Sequence, residues 1–179
     1  MHIEQPMRDL VDRERIRDCI AQLARGEDRR NAELLSACFW ADANVDLGVF
    51  IGSFAEYLAW VVPGAPSIPV TSHTLGQSLI ELRADVAAVE THVTAYHRID
   101  MGAEERDIVL GGRYLDRMEK RGGHWRIVHR TMLYDWVSDY GKSADWTQGL
   151  LGMPFVSAHA VGRARGDYSE AFFKSVLTD

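Results

Sequence analysis

The spacing of apolar residues near the start of the chain predicts a long helix over residues 8–25. Apolar side chains recur there every three or four positions, which is the period of a helix with one buried face. They include Ile16, Cys19, Ile20 and Leu23. Charged residues such as Asp12 and Arg17 occupy the opposite face. Gly26 is a plausible end of the helix, although the helix can also run a little past it.

Two shorter helices and a strand are expected next. Residues 31–39 have helical spacing, with Asn31 as a candidate N-cap, because its side chain can accept hydrogen bonds from free backbone N–H groups. A short strand is expected over 43–50. Helical spacing returns over 54–62 and ends where a proline-containing loop begins.

The pattern then changes to that of long strands. The runs 71–82, 86–100, 106–120 and 124–137 are rich in β-branched and aromatic residues. A Gly-Gly pair at 122–123 joins the last two runs, which is a strong hairpin signal. Helices followed by an antiparallel meander predict an α+β fold. We expect a cone-shaped α+β barrel with N-terminal helices packed on a strongly curved antiparallel sheet, whose mouth can hold a small ligand.

The chain divides into a domain and an extension. We expect residues 1–137 to form the cone domain. Residues 138–179 are expected to pack on the domain or to cover the mouth of its pocket. This extension is mostly polar with scattered apolar side chains, including Trp146 and Phe155, and a short helix is expected over 168–177.

Composition and charge narrow the functional classes. The 179 residues are 46% hydrophobic and carry a net charge of −6, as in an ordinary globular domain. An acidic chain without a Lys/Arg-rich run has little to attract nucleic acid. No stretch approaches the roughly 18 apolar residues of a membrane span, and no leader is visible at the N-terminus. We expect a cytoplasmic protein with no membrane partner.

The sequence shows no pattern of residues that is typical of a metal or cofactor site. Cys19 and Cys38 lie in apolar helical patterns and are expected to be small buried side chains. The spacings typical of metal ligands, such as C-x-x-C, are missing. Gly111 and Gly112 lack the pattern of a phosphate loop and lie within a strand. We therefore expect no metal and no cofactor.

Three segments carry a resemblance to a known family. Residues 111–136, GGRYLDRMEKRGGHWRIVHRTMLYDW, combine a glycine-containing turn, a W-R-I strand and an H-R-T segment. This stretch resembles the final hairpin of SnoaL-like proteins in the nuclear transport factor 2-like superfamily. Residues 10–43 resemble the two opening helices, and TSHTLGQSLIEL, 71–82, resembles the histidine-bearing segment. The resemblance covers roughly residues 8–137.

Within that superfamily the chain is similar in kind to cofactor-free lyases. These are scytalone dehydratase, hexachlorocyclohexane dehydrochlorinase and sphingomonad lyases that release formaldehyde from diarylpropanes. The resemblance implies a catalytic pair at Asp28 and His73 and a pocket arginine at Arg130. The dehydrochlorinase has a lysine about one turn before its aspartate, where this chain has Leu23 or Ala24. This departure weakens the expectation of chloride elimination.

Asp28 and His73 suit proton transfer. A carboxylate that binds one ring nitrogen fixes the tautomer and stabilises the imidazolium formed when the other nitrogen takes a proton. Judged without the resemblance, Asp28 is a solvated charge in a turn and His73 is an ordinary strand residue.

Strand alternation assigns further candidates to faces. On the last strand, Arg130, Met132, Tyr134 and Trp136 share one face, a mixture that suits a mostly apolar pocket. Arg130 can hold a leaving oxygen or a phenolate. A salt bridge within the sheet or at an oligomer interface explains it equally well.

On the run 86–100, alternation separates Tyr96 from His97. Tyr96 is the preferred pocket acid, since a phenol can donate to an oxygen, and His97 then points to the helices or to an interface, although it stays a candidate for substrate binding. Trp40, Trp60 and Tyr114 are further candidates for binding, because aromatic walls suit aromatic ligands.

These observations favour a cofactor-independent lyase for an aromatic hydroxylated small molecule. The expected reaction is dehydration, or loss of a small carbonyl fragment such as formaldehyde from a lignin-type diarylpropane. His73, held by Asp28, would move the proton, and Arg130 with Tyr96 or Tyr134 would steady the oxygen anion.

Two other functions stay open. One is a ketone isomerase or polyketide-type cyclase with a carboxylate base. The other is a non-catalytic binding domain, or the small subunit of a ring-hydroxylating oxygenase. A homo-oligomer is expected, with a trimer favoured by the resemblance over a dimer.

Overall fold

The structure is a computed structural model that describes residues 4–145, 149–155 and 167–177. Its helices are α1 (Glu4–Arg29), α2 (Ala32–Cys38), α3 (Phe54–Val61) and α4 (Tyr168–Leu177). Its strands are β1 (Phe39–Asp46), β2 (Ile51–Ser53), β3 (Val70–Arg83), β4 (Val86–Asp100), β5 (Glu105–Arg121) and β6 (His124–Lys142). The predicted helices and long strands are therefore confirmed, and their ends differ by a few residues.

The strands form one open sheet in the order β2-β1-β6-β5-β4-β3. The four long strands pair antiparallel, as predicted, whereas β1 pairs parallel to β6. The sheet is thus mixed, and it does not close into a barrel. The α+β cone expected from the sequence is confirmed in this open form.

The hairpin between β5 and β6 follows the predicted turn. Arg121 pairs with His124, which leaves a two-residue loop. Gly122 and Gly123 have φ angles of 58° and 85°. Two successive residues with positive φ match the right-handed twist of the strands, which explains why glycine occupies both positions.

The first helix runs past Gly26, which is one of the two possibilities that the sequence left open. It continues to Arg29, and Gly26 instead allows α2 to pack closely against α1. A Cβ atom at Gly26 would lie 3.2 Å from side-chain atoms of Leu34 and Leu35. The additional turn places Glu27 and Asp28 on the helix rather than in a loop.

The hydrophobic core occupies one end of the concave face of the sheet. Ile16, Ile20 and Leu23 of α1 pack there against strand residues such as Met118 and Ile127. The other end of the same face is open and holds a cavity. The C-terminal end of α1 lies between the two, and it can therefore present polar side chains to the cavity.

Part of the expected extension is also visible. The helix predicted over 168–177 is confirmed as α4. Arg29 contacts Asp167 at 2.8 Å, and Arg25 donates to Ser169 at 2.9 Å. Trp146 lies outside the described residues. Among the helices that are described, none has the length and apolarity to cross a membrane.

Candidate active site

Asp28 and His73 are in direct contact. Asp28 is in the last turn of α1, and His73 is near the start of β3. The imidazole Nδ1 lies 2.7 Å from Asp28 Oδ1. The backbone N–H of His73 also donates to Asp28, at 3.2 Å to Oδ1 and 3.0 Å to Oδ2. The carboxylate therefore holds both the strand and the ring, and it favours the tautomer with hydrogen on Nδ1 and a free lone pair on Nε2.

The surroundings of His73 favour its protonated form. Only 12% of its side-chain surface is exposed. Burial lowers the pKa of His73, but the hydrogen bond that the ring donates to Asp28 and the charges of Glu27 and Asp28 outweigh it, so the pKa is raised above the ordinary 6.5. A base with such a pKa is poised to take up a proton near neutral pH.

Glu27 is a second carboxylate at this site, and the sequence analysis missed it. Its Oε1 accepts the hydroxyl hydrogen of Tyr57 at 2.5 Å. Its Oε2 lies 4.0 Å from His73 Nε2. The residue continues the buried spacing of Leu23 by one helical turn. A carboxylate on the apolar face of the first helix was the signal that could have found it.

Arg130 lies on the inner face of the sheet, but its side chain does not line the cavity. It is 1% exposed, and its Nε and Nη2 bind Asp116 at 2.7 and 2.8 Å. Its Nη1 lies 3.7 Å from Glu27 Oε1, and its guanidinium covers the ring of Tyr114 at 3.9 Å. The Asp116 charge helps to raise the pKa of Arg130 despite its burial. The ion pair within the sheet, one of the interpretations open from the sequence, is observed.

The cavity beside His73 has a volume of about 510 Å³ and a largely apolar wall. Five of the residues named from the sequence for substrate binding line it. They are Trp60, His97, Tyr114, Met132 and Tyr134. Glu27, Tyr57 and His73 also reach the surface of this cavity. Its wall thus combines aromatic and aliphatic side chains with a few converging polar groups, as in sites for small organic ligands.

The predicted faces of β4 were exchanged. Ala95, His97 and Ile99 line the cavity, whereas Tyr96 lies on the other face and donates to Asp107 at 2.7 Å. Tyr96 as a pocket acid was therefore wrong. Alternation gave the correct grouping, and the whole strand also marked its inner face: His97 shares its face with apolar residues such as Val89 and Val93, whereas Tyr96 shares its face with Glu90 and Arg98.

His97 is close to the catalytic candidate. Its ring lies 6.1 Å from that of His73, measured between centroids, in an edge-on arrangement. Burial and the nearby His73 lower the pKa of His97. A neutral ring at this position adds a polar contact to the cavity without a second positive charge.

Two tryptophans lie away from the cavity. Trp40 donates from Nε1 to the Glu119 carbonyl at 3.0 Å, and the guanidinium groups of Arg121 and Arg126 cover its ring. Its assignment to substrate binding was wrong, because its indole packs against arginine side chains instead.

Alternation along the last strand grouped Trp136 with Arg130, but the pairing register between β5 and β6 shifts just before Trp136. Gly112 pairs with Tyr134, and the adjacent Gly111 pairs with Trp136. The indole of Trp136 lies against Gly111, on the face opposite to the cavity. A bulge of this kind reverses the side-chain phase and leaves no clear mark in the sequence.

No metal site accompanies these groups. Throughout the described ranges, no set of three or more His, Cys, Asp or Glu side chains is placed to hold a metal ion. The chemistry available from the residues themselves is that of an imidazole, two carboxylates and several phenols around an apolar hollow.

Residues 8–131 match the family model of the SnoaL-like domain. The chain belongs to this family, and the resemblance noted in the sequence is confirmed. No match was found among curated protein sequences.

Solved structures share the fold. The chain is similar to a type 2 hexachlorocyclohexane dehydrochlorinase, with a TM-score of 0.68 and 19% identity over 87% of this chain and 99% of that one. The type 3 enzyme of Novosphingobium barchaimii gives 0.67 and 19% over 86% and 99%. A Novosphingobium aromaticivorans protein assigned as a scytalone dehydratase gives 0.64 and 25% over 76% and 92%.

Proposed function

We propose that this protein is a cofactor-independent lyase that acts on an aromatic, hydroxylated small molecule. The reaction is dehydration, or loss of a small carbonyl fragment such as formaldehyde from a diarylpropane or a similar compound. The observation that carries the proposal is the Asp28–His73 contact, whose free ring nitrogen borders a mostly apolar cavity. The names of the dehydratase and dehydrochlorinase relatives support elimination as the reaction type.

In the dehydration, one imidazole moves both protons. His73 Nε2 takes a proton from a carbon next to the one that bears the hydroxyl, and Asp28 stabilises the resulting imidazolium. The C–H electrons form the double bond, the C–O bond breaks, and the departing oxygen takes the proton from Nε2. The products are an alkene and water, and His73 returns to its neutral form.

The modest rate gain that general-base catalysis supplies limits which substrates the enzyme can use. General-base catalysis contributes roughly 10²–10⁴ in rate, so the substrate must already carry an acidified C–H bond or a benzylic leaving group. Arg130 and Tyr134 are already engaged with other groups. The Arg130 guanidinium is bound to Asp116, and the Tyr134 hydroxyl donates to the Leu47 carbonyl at 2.8 Å. Tyr114, which lines the cavity, is therefore the phenol we assign to the developing oxygen anion.

The test is an incubation of the purified, metal-stripped protein with a panel of diarylpropanes and hydroxylated aromatics. Alkene formation is followed by the absorbance of stilbene-like products, and each reaction is repeated with His73→Ala. The proposal expects turnover without additives and its loss in the variant. Turnover that requires an added metal or nicotinamide would contradict the proposal.

Glu27 also favours a second candidate function, a ketone isomerase with a carboxylate base. Its Oε2 is buried at the cavity and close to His73. In that case His73→Ala keeps most of the activity, and Glu27→Gln loses it, on a ketone substrate rather than an alcohol.

The protein is further proposed to act as a homo-oligomer. Large apolar side chains are exposed along β6 and along α4, including Val137, Tyr140 and Leu177, and exposed apolar surface is a frequent feature of interfaces between subunits. A sizing column distinguishes a trimer, a dimer and a monomer.

A further inference from the structure

One carboxylate oxygen of Glu27 has no hydrogen-bond partner among the described residues. The side chain is 6% exposed, and Oε1 is occupied by the hydroxyl of Tyr57. Oε2 is buried and forms no hydrogen bond to any residue in the described part of the chain. An unpaired buried carboxylate oxygen is costly, so its position at the cavity surface indicates that a bound molecule supplies the missing donor.

The neighbouring imidazole restricts what that donor can be. Glu27 Oε2 and His73 Nε2 lie 4.0 Å apart. One oxygen atom placed at a hydrogen-bond distance of about 2.8 Å from both would see them at an angle of about 90°. A hydroxyl can occupy this position, because it donates its hydrogen to Oε2 and accepts a hydrogen bond from Nε2–H once Nε2 has taken the carbon-bound proton.

We propose that Glu27 selects the substrate by accepting the hydrogen of its reacting hydroxyl, so that the site takes neutral alcohols and rejects ethers, ketones and carboxylates. This inference rests on the proposed function and deepens it. The hydrogen bond to Glu27 holds the hydroxyl oxygen beside His73 Nε2, where it receives the returning proton. Ethers and ketones bring no donor to Oε2. A carboxylate ligand would be repelled by Glu27 and Asp28 together.

The binding test uses ligands that cannot react. Diphenylmethanol has an alcohol between two aromatic rings but no neighbouring C–H bond to eliminate. Its methyl ether and benzophenone keep the rings and lack the hydroxyl hydrogen. Calorimetric titration of the wild-type protein is expected to show diphenylmethanol binding at least about tenfold more tightly than either, because a hydrogen bond to a charged group is at stake.

The Glu27→Gln variant makes the test specific. Tyr57 needs an acceptor, so the amide oxygen of glutamine takes the place of Oε1 and the NH₂ group faces the cavity. The alcohol loses its acceptor while the ether and the ketone gain a donor, so the preference for diphenylmethanol disappears. Glu14→Gln, an exposed change on the same helix, keeps the preference. A uniform loss of affinity for all three ligands in Glu27→Gln would show a merely structural role and overturn the inference.

The wild-type measurement stands even where the variant fails to fold. Equal affinities for the three ligands, or saturable binding of none of them, overturn the inference. A failure of the proposed function can be distinguished from a failure of this inference. An alcohol preference together with full turnover by His73→Ala refutes His73 as the proton carrier and leaves Glu27 as the selector. Loss of turnover in His73→Ala without any alcohol preference keeps His73 as the proton carrier and refutes Glu27 as the selector.

Discussion

The carboxylate of Asp28 binds His73 twice, through the backbone N–H and through the ring Nδ1. The first contact joins the end of α1 to β3, and the second sets the tautomer of the imidazole. Because one side chain does both, the position of the ring and the availability of its Nε2 depend on the same residue.

Replacing Asp28 by asparagine should impair catalysis more than folding. The amide can still contact the strand, but it no longer stabilises the imidazolium. We expect kcat to fall by roughly 10²–10⁴ with little change in KM. Steady-state kinetics on a substrate found in the panel measure this, with Asp18→Asn, an exposed change on α1, as the matched control. Unchanged kcat in Asp28→Asn would show that the carboxylate serves the fold alone.

The rate should depend on pH through His73. Its pKa is raised above 6.5, and the neutral ring is the active base, so kcat/KM should rise with pH through an apparent pKa above that value. In Asp28→Asn the imidazolium loses its partner, and the rising limb should move to lower pH. A rate that falls as pH rises through this region would instead make His73 an acid.

The same pKa shift contributes to stability, with a defined sign. A pKa raised on folding stabilises the protein fully below the unfolded value near 6.5. This contribution is lost as pH rises through the folded pKa. The free energy of unfolding of the wild type relative to His73→Gln should therefore decline above pH 6.5. Denaturant titrations of both proteins at several pH values test this.

Arg130 and Asp116 form a fully buried ion pair. Arg130→Met leaves the Asp116 charge buried without its partner and should lower the free energy of unfolding by about 3–5 kcal/mol. Adding Asp116→Leu removes that charge and should restore part of the loss. Urea denaturation measures both. If the double variant were as unstable as the sum of the two single changes, the pair would not be coupled.

An exposed pair provides the comparison. Arg113 contacts Asp135 at 3.1 Å near the surface of the same sheet. Because solvent screens such a pair, Arg113→Met should leave the denaturation midpoint almost unchanged. A similar loss in both arginine variants would mean that burial is not the cause.

The two tryptophans should separate ligand binding from packing. Trp60 lines the cavity, and Trp40 does not. Trp60→Ala should weaken the binding of diphenylmethanol several-fold through lost aromatic contact, and Trp40→Ala should leave it unchanged. Calorimetric titration of both variants with diphenylmethanol measures these affinities. Weaker binding in Trp40→Ala alone would place the ligand elsewhere.

The sequence predicted the architecture well because period and turn chemistry are local. Helical spacing, the Asn31 cap and the Gly122–Gly123 turn each depend on neighbouring residues, and each is present in the structure. The Asp28–His73 contact is different. The two residues are 45 positions apart, and the resemblance to a family, rather than any spacing, suggested that they meet.

Other differences arose where tertiary packing decides. The sequence offered Gly26 as a possible end of the helix, and in the structure this glycine admits α2 instead. Glu27 therefore went unnoticed on the buried face. The assignment of Tyr96 to the pocket was a different kind of error, because apolar residues on the face of His97, such as Val89 and Val93, already indicated which side of β4 is buried. Arg130 was correctly placed on the inner face, but its partner Asp116 lies on another strand and could not be foreseen.

The most direct test compares turnover of one substrate by the wild type, His73→Ala and His92→Ala. His92 is an exposed histidine on the neighbouring strand, 53% exposed in its side chain, and its loss should leave kcat unchanged. The account predicts that His73→Ala lowers kcat by roughly 10²–10⁴ while thermal unfolding shows a folded protein. A folded His73→Ala variant that turns over the substrate at the wild-type rate would contradict the account.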